Sequence, residues 1–215
     1  MPKKVAVYGG SFNPIHNGHS SIARAICSTG VVDEVWFMVS PLNPLKQDAA
    51  HTILPTDIRL LLTNLALKDY ENLKVSDFET KLPIPSYTFT TLNALEKAFP
   101  DCEFSLIVGQ DNWERFSRWY KADEIKENHD IIVYGRNEQE TILQQTEGVG
   151  SARVNIHKKD GTSERLDSQE HHFPLYDISS TQIRNAFKCH DLPFAAKWIH
   201  PDVFRYILEN ALYAQ

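Results

Sequence analysis

The sequence predicts an α/β protein, a mostly parallel sheet with helices on both faces. Short apolar runs recur at Val5–Tyr8, Val35–Val39, Leu73–Phe78, Phe104–Val108 and Ile131–Tyr134, each a strand candidate. Most are continuous β-branched or aromatic runs, as strands buried on both faces require. Between them, helical periodicity marks Gly18–Ser28, Asp57–Lys68, Thr88–Phe99 and Ala122–Asn128. Strand–helix–strand repetition of this kind builds parallel pairing through right-handed crossovers.

Local signals place several boundaries. Ser86 or Thr88 is suited to cap the third helix, whose apolar stripe is Leu92, Leu95 and Phe99. Ser179-Ser180-Thr181-Gln182 fits a capping box opening a helix through Phe187. Pro201 suits the first turn of a last helix with Val203, Tyr206 and Ile207 on one face. These helices follow a strand candidate at Phe173–Ile178 and form a C-terminal extension. From Asn137 to His172 the chain turns polar, with Gly148, Gly150 and Asp160-Gly161 reading as turns. That stretch reads as a peripheral excursion holding one helix and one further strand. No repeat or low-complexity segment divides the chain, so a single domain spanning 1–215 is expected.

Composition narrows the class. The chain has 215 residues, 42% hydrophobic and 23% charged, which excludes wholesale disorder. No run approaches the roughly eighteen apolar residues of a membrane span. Lys and Arg total 22 against 28 acidic residues, a net charge of −6. That balance argues against a broad basic face for long nucleic acid but allows a local site for a small anion. Cys27, Cys102 and Cys189 are odd in number and far apart, and read as reduced, mostly buried thiols. The N-terminus turns polar by Ser11, too soon for a signal-peptide core. A cytoplasmic protein is expected, and a homo-oligomer is left open.

The chemistry concentrates in Gly9-Gly10-Ser11-Phe12-Asn13-Pro14-Ile15-His16-Asn17-Gly18-His19, directly after the first strand and before a helix. Ligands of open parallel sheets bind outside the carboxyl ends of the strands, where this loop sits. Glycines admit a phosphate close to the backbone, and the helix N-terminus offers it free N–H groups. A neighbouring phosphate would favour protonation of His16 and His19. Zinc is the bland alternative for His-x-x-His, but no nearby Cys or acidic residue completes a ligand set. The Gly-x-Gly-x-x-Gly fingerprint of dinucleotide oxidoreductases is absent. Gly148-Val149-Gly150 begins one, but Arg153 replaces its third glycine.

Two motifs then carry a resemblance. Gly9–His19, ending in His-x-Gly-His, resembles the first signature of the nucleotidyltransferase superfamily that works without a covalent enzyme intermediate. Ile178-Ser179-Ser180-Thr181-Gln182-Ile183-Arg184 resembles its second. Ser40–Lys46, Ser86-Tyr87-Thr88, Gly109-Gln110-Asp111 and Trp119-Tyr120 occur in the order found in bacterial nicotinate mononucleotide adenylyltransferases. The similarity spans nearly the whole chain and is weakest over residues 137–172. Asn13 stands where many relatives have Asp.

The resemblance implies a Rossmann-like doubly wound sheet and adenylyl transfer from ATP, with Mg²⁺ bound through the phosphates and no metal ligand from the protein. It implies catalytic roles for His16, His19, Lys46 and Arg184. ATP would be bound by Gly9, Gly10, Ser11 and Phe12, mainly through backbone, by the two histidines, by Gly109 and Asp111 near the ribose, and by Ile178, Ser180, Thr181 and Arg184. The mononucleotide would meet Asn43, Lys46, Thr88, Trp119 stacked on the pyridine ring, the Tyr120 backbone, and Arg136. By themselves, Ser179–Arg184 read equally well as a capped helix with a surface arginine, and Asp111 as a helix cap. Among Trp113, Phe116, Trp119 and Tyr120, some must be core. Rival functions are transfer to nicotinamide mononucleotide and a nucleotide-binding module without catalysis. Pantetheine-phosphate adenylyltransferases and cytidylyltransferases share both signatures but fit the Trp119 region poorly.

Overall fold

The computed structural model describes residues 1–41, 53–136, 149–166 and 171–214. In chain order the elements are β1 (Lys3–Gly10), α1 (Asn17–Ser28), β2 (Glu34–Val39), α2 (Thr56–Leu67) and β3 (Leu73–Ser76). There follow α3 (Thr88–Ala98), β4 (Cys102–Gly109), the short α4 (Gln110–Trp113), α5 (Ala122–Asn128) and β5 (Ile131–Arg136). The rest are β6 (Val149–His157), β7 (Ser163–Leu166), β8 (Pro174–Tyr176), α6 (Ser180–Lys188), α7 (Leu192–Trp198) and α8 (Pro201–Glu209).

All five apolar runs became strands, paired parallel in the order β3-β2-β1-β4-β5. Alternation within each strand feeds two cores. Ala6 and Tyr8 of β1 pack with Ile22, Leu62 and Ile183 from α1, α2 and α6. Val5 and Val7 face Leu92, Leu95 and Ile125 from α3 and α5. The strand order reverses between β1 and β4, so the crevice at their carboxyl ends is the ligand position such sheets provide.

Several expectations needed correction. The polar excursion contributes two strands where one was expected. β6 pairs antiparallel to β5 and β7 antiparallel to β6, extending the sheet. Gly150 lies inside β6 opposite Leu175 and is no turn, whereas Gly161, at φ +84°, does turn the chain. The helix expected in the excursion and Gly148 lie outside the described residues. Phe78 leaves β3 to open a 3-10 turn. Neither Ser86 nor Thr88 caps α3: Tyr87 holds the cap position, and the Ser86 hydroxyl donates to Glu79 instead. Phe99 follows that helix at the surface. Helix α7 was missed because it spans only seven residues, under two turns of visible periodicity. Of the cysteines only Cys27 is buried; Cys102 is half-buried and Cys189 exposed, and none is paired. No helix among the described residues is long and apolar enough to cross a membrane.

Candidate functional site

The first loop leaves β1 and closes on itself through aromatic packing. Phe12 adopts φ +44°, a left-handed conformation that side chains favour only when neighbours impose it. Its ring is 3% exposed and packs edge-on against Tyr8 and His19, at 5.7 and 5.2 Å. Phe12 therefore contributes backbone to the cavity while its side chain anchors the loop.

His16 and His19 stack at the start of α1, ring centres 3.7 Å apart. Nδ1 of His19 accepts the His16 backbone N–H at 3.3 Å, so the neutral ring carries its proton on Nε2. His16 is buried, and its Nδ1 has no hydrogen-bond partner among the described residues. Burial, followed by the neighbouring His19, holds the His16 pKa well below the usual histidine value. Without a ligand His16 is thus neutral at pH 7, and any charge on it must be induced by an anion. Gly18 makes the arrangement possible: a methyl there would lie 3.0 Å from His16 Nδ1 and 3.3 Å from Ile178 Cγ2.

The second signature folds as its sequence pattern predicts. Ser179 caps α6 by accepting from the Gln182 N–H, and Gln182 Oε1 accepts the Ser179 N–H at 2.7 Å. This helix end is tied to the first loop. The Ser180 hydroxyl donates to the Pro14 carbonyl at 2.8 Å, and Arg184 donates from Nη1 to the Asn13 carbonyl at 2.8 Å and from Nη2 to Thr181 Oγ1 at 3.0 Å. The Ser180 proton is thereby committed to protein, leaving its N–H as the donor toward the cavity.

Between these pieces lies a cavity of about 680 Å³. Gly9, Gly10, Ser11, Phe12, His16 and His19 line it. So do Ile178, Ser180, Thr181 and Arg184, together with Gly109 and Asp111. Asp111 sits exposed in the first turn of α4 and makes no cap. Arg184 and the N-termini of α1 and α6 line this cavity beside the histidines, and the Asp111 carboxylate lines it as well.

A second cavity of about 160 Å³ adjoins the first and is lined by Thr88, Trp119 and Tyr120, with Glu79 and Ser86 behind them. Gly9, Gly10 and Trp119 line both. The Trp119 ring packs on Phe116 at 4.8 Å, and its buried Nε1 has no partner among the described residues. Phe116, 1% exposed, is the core member of that aromatic group, while the half-buried Trp113 stacks on His157 at 4.4 Å. Asn43 and Lys46 lie outside the described residues. The backbone of Arg136 ends β5 opposite Ala152.

Sequence reasoning missed three groups here. Arg59 is 1% exposed and donates to the carbonyls of Ser11, Ser40, Pro41 and Leu54 and to Thr56 Oγ1. It ties the first loop to the end of β2. Its signal was visible: Arg59, Leu62, Thr63, Ala66 and Leu67 make one helical stripe, and an arginine on an apolar stripe is buried. Glu79 is buried beside the smaller cavity, accepting the Ser86 hydroxyl at 2.7 Å, and burial raises its pKa. Tyr8 and Tyr134 share a hydrogen bond at 2.6 Å on the wall of the larger cavity.

A crevice lined by His16, His19, Arg184 and helix N-termini, opening onto an aromatic-walled one, suits a protein that holds a polyphosphate beside a second small molecule. Fold and site together define a nucleotide-binding α/β protein. The chain belongs to the cytidylyltransferase-like family, which its residues 7–186 match. It is 39% identical over 208 residues to a Bacteroides fragilis protein named "Probable nicotinate-nucleotide adenylyltransferase", covering 96% of this chain and 92% of that one. A Flavobacterium johnsoniae protein of the same name is 38% identical over 211 residues, with 98% of both chains covered. The fold also matches the Plasmodium falciparum nicotinic acid mononucleotide adenylyltransferase solved with NaAD, at TM-score 0.68 and 18% identity, over 98% of this chain and 97% of that one.

Proposed function

We propose that this chain transfers the adenylyl group of ATP to nicotinate mononucleotide, forming nicotinate adenine dinucleotide and pyrophosphate in NAD biosynthesis. The observation that carries the reading is the joining of the two signature segments: Ser180 and Arg184 reach Pro14 and Asn13 and shape one anion-binding cavity beside Trp119. The shared name of the curated relatives supports the substrate.

ATP occupies the larger cavity with its phosphates toward His16, His19, Thr181, Arg184 and the N-terminus of α6. The mononucleotide occupies the smaller one, its pyridine ring on Trp119 and its carboxylate toward the Tyr120 backbone, with Thr88, Asn43, Lys46 and Arg136 as further contacts. A phosphate monoester has a second pKa near 6 and is largely dianionic at pH 7, so its oxygen needs no general base. That oxygen attacks the α-phosphorus in line. The new P–O bond forms as the bond to the β-phosphate oxygen breaks, and pyrophosphate leaves with the electron pair. Protein catalysis is then alignment and charge stabilisation. His19 supplies Nε2–H to the transition state, and Arg184 and Lys46 balance charge on the phosphates. Among the described residues no group of three His, Cys, Asp or Glu is placed to hold a metal. Mg²⁺, carried in on the ATP phosphates, would neutralise charge there and polarise them. Unpaired cysteines suit a cytoplasmic setting.

Pyrophosphate release by purified protein with ATP and Mg²⁺, comparing the acid and amide mononucleotides, tests the reading. Strong preference for the acid is expected. Preference for the amide overturns the substrate, and silence with both overturns the reaction. His19→Ala should lower kcat about 10²–10³-fold, and Trp119→Ala should mainly raise KM for the mononucleotide.

A further inference from the structure

We infer that Tyr134 recognises the nucleoside of ATP, its hydroxyl donating a hydrogen bond to a ribose oxygen or base nitrogen while Tyr8 sets the direction of that donor. The inference rests on ATP occupying the larger cavity.

The two phenols come from strands on either side of β4. Tyr8 of β1 pairs with Ile107, and Tyr134 of β5 pairs with Gly109, so their rings meet over β4. Gly109 leaves the room: a methyl there would lie 3.3 Å from the Tyr134 hydroxyl. The hydroxyls are 2.6 Å apart, and among the described residues neither has another hydrogen-bond partner. The pair holds two protons, and a single hydrogen bond uses one.

Burial decides which proton is spare. Tyr8 is 5% exposed, whereas Tyr134 is only half-buried, and both face the larger cavity. If Tyr134 donated to Tyr8, the Tyr8 proton would be stranded in an apolar cluster, a costly arrangement. Tyr8 therefore donates, and the Tyr134 proton is the one presented to a ligand. Both phenols stay protonated: burial raises each pKa, and the Asp111 carboxylate raises that of Tyr134 further.

Charge identifies what the donor meets. The Asp111 carboxylate bears on Tyr134, which lines the same part of the cavity as Gly109, and repels phosphate from that end. The neutral nucleoside takes that end.

Steady-state kinetics of Tyr134→Phe, Tyr8→Phe and the double variant test this, with His19→Ala as control. Tyr134→Phe should raise KM for ATP about threefold to tenfold, the range for one neutral hydrogen bond, with KM for the mononucleotide unchanged. The double variant leaves no phenol unpaired and serves if the single variant fails to fold. It should share the raised KM for ATP, whereas a pair that only supported the fold would show wild-type KM. Unchanged KM for ATP in Tyr134→Phe and the double variant, or an equal rise for both substrates, overturns the inference. If His19→Ala is also silent, the placement of ATP falls with it; if His19→Ala is impaired, the Tyr134 role alone is lost.

Discussion

The hydroxyl of Tyr213 donates to Asn13 Oδ1 at 2.7 Å, across 200 positions of sequence. The same oxygen accepts the Leu54 N–H at 3.2 Å. Asn13 is buried in the first signature, so this amide links the cavity loop to the segment before α2 and to the turn after α8. Tyr213→Phe should lower folding stability by about 1 kcal/mol, the net worth of one such bond, and raise KM for ATP. Urea unfolding and ATP titration check it; stability lost with KM unmoved would make the contact purely structural.

Arg59 should be less replaceable than any surface arginine. Its guanidinium serves four carbonyls and a hydroxyl, and no hydrophobic side chain can satisfy them. Arg59→Met should cost about 3 kcal/mol or more, because each buried acceptor left unpaired carries its own penalty. Arg59→Lys, with three donors on a point charge, should recover only part of this. Chemical denaturation of both variants decides the matter, and near-equal stability of Met and wild type would refute the argument.

Gly18→Ala should separate activity from stability. Alanine is the better helix former by about 1 kcal/mol, but its methyl would press on His16 Nδ1 at 3.0 Å. The His16 ring must shift, taking the stacked His19 with it. Turnover should fall about tenfold or more with the melting temperature little changed. Retained turnover would show that the histidine pair tolerates displacement.

Stability should fall in acid partly through His16. Its folded pKa is depressed, so the native state refuses a proton that the unfolded chain takes up below the ordinary histidine value. The contribution is full above about pH 6.5 and declines as pH falls, by about 1.4 kcal/mol per unit for one group, until the folded pKa is reached. Denaturation midpoints at pH 7.5 and 5.5, for wild type and His16→Asn, should show a shallower slope in the variant. Parallel slopes would assign the acid sensitivity elsewhere.

The strands and the two signatures were legible because each depends on local pattern. Continuous apolar runs mark β1 to β5, and Ser179 with Gln182 closes a box within four positions. The excursion was misread for the opposite reason. β6 carries a buried alternation of Ala152, Val154 and Ile156, but in β7 Ser163, Glu164 and Arg165 are exposed, so its strand identity comes from pairing with β6 and not from a hydrophobic run. Ser86 resembled a helix cap until Glu79, seven positions earlier, took its hydroxyl.

By itself, then, the sequence determined the class of fold, the strand–loop–helix pattern of Gly9–His19, the capped helix opening at Ser179, and the order of the segments between them. Periodicity, glycine placement and capping are properties of neighbouring residues, readable without coordinates. Only the tertiary structure decided that Arg184 clasps Asn13, that Arg59 holds four carbonyls from separate segments, that His16 is neutral, and that Tyr8 meets Tyr134 over β4. Those outcomes depend on burial and on partners distant in sequence, and both exist only once the sheet has brought the strand ends together.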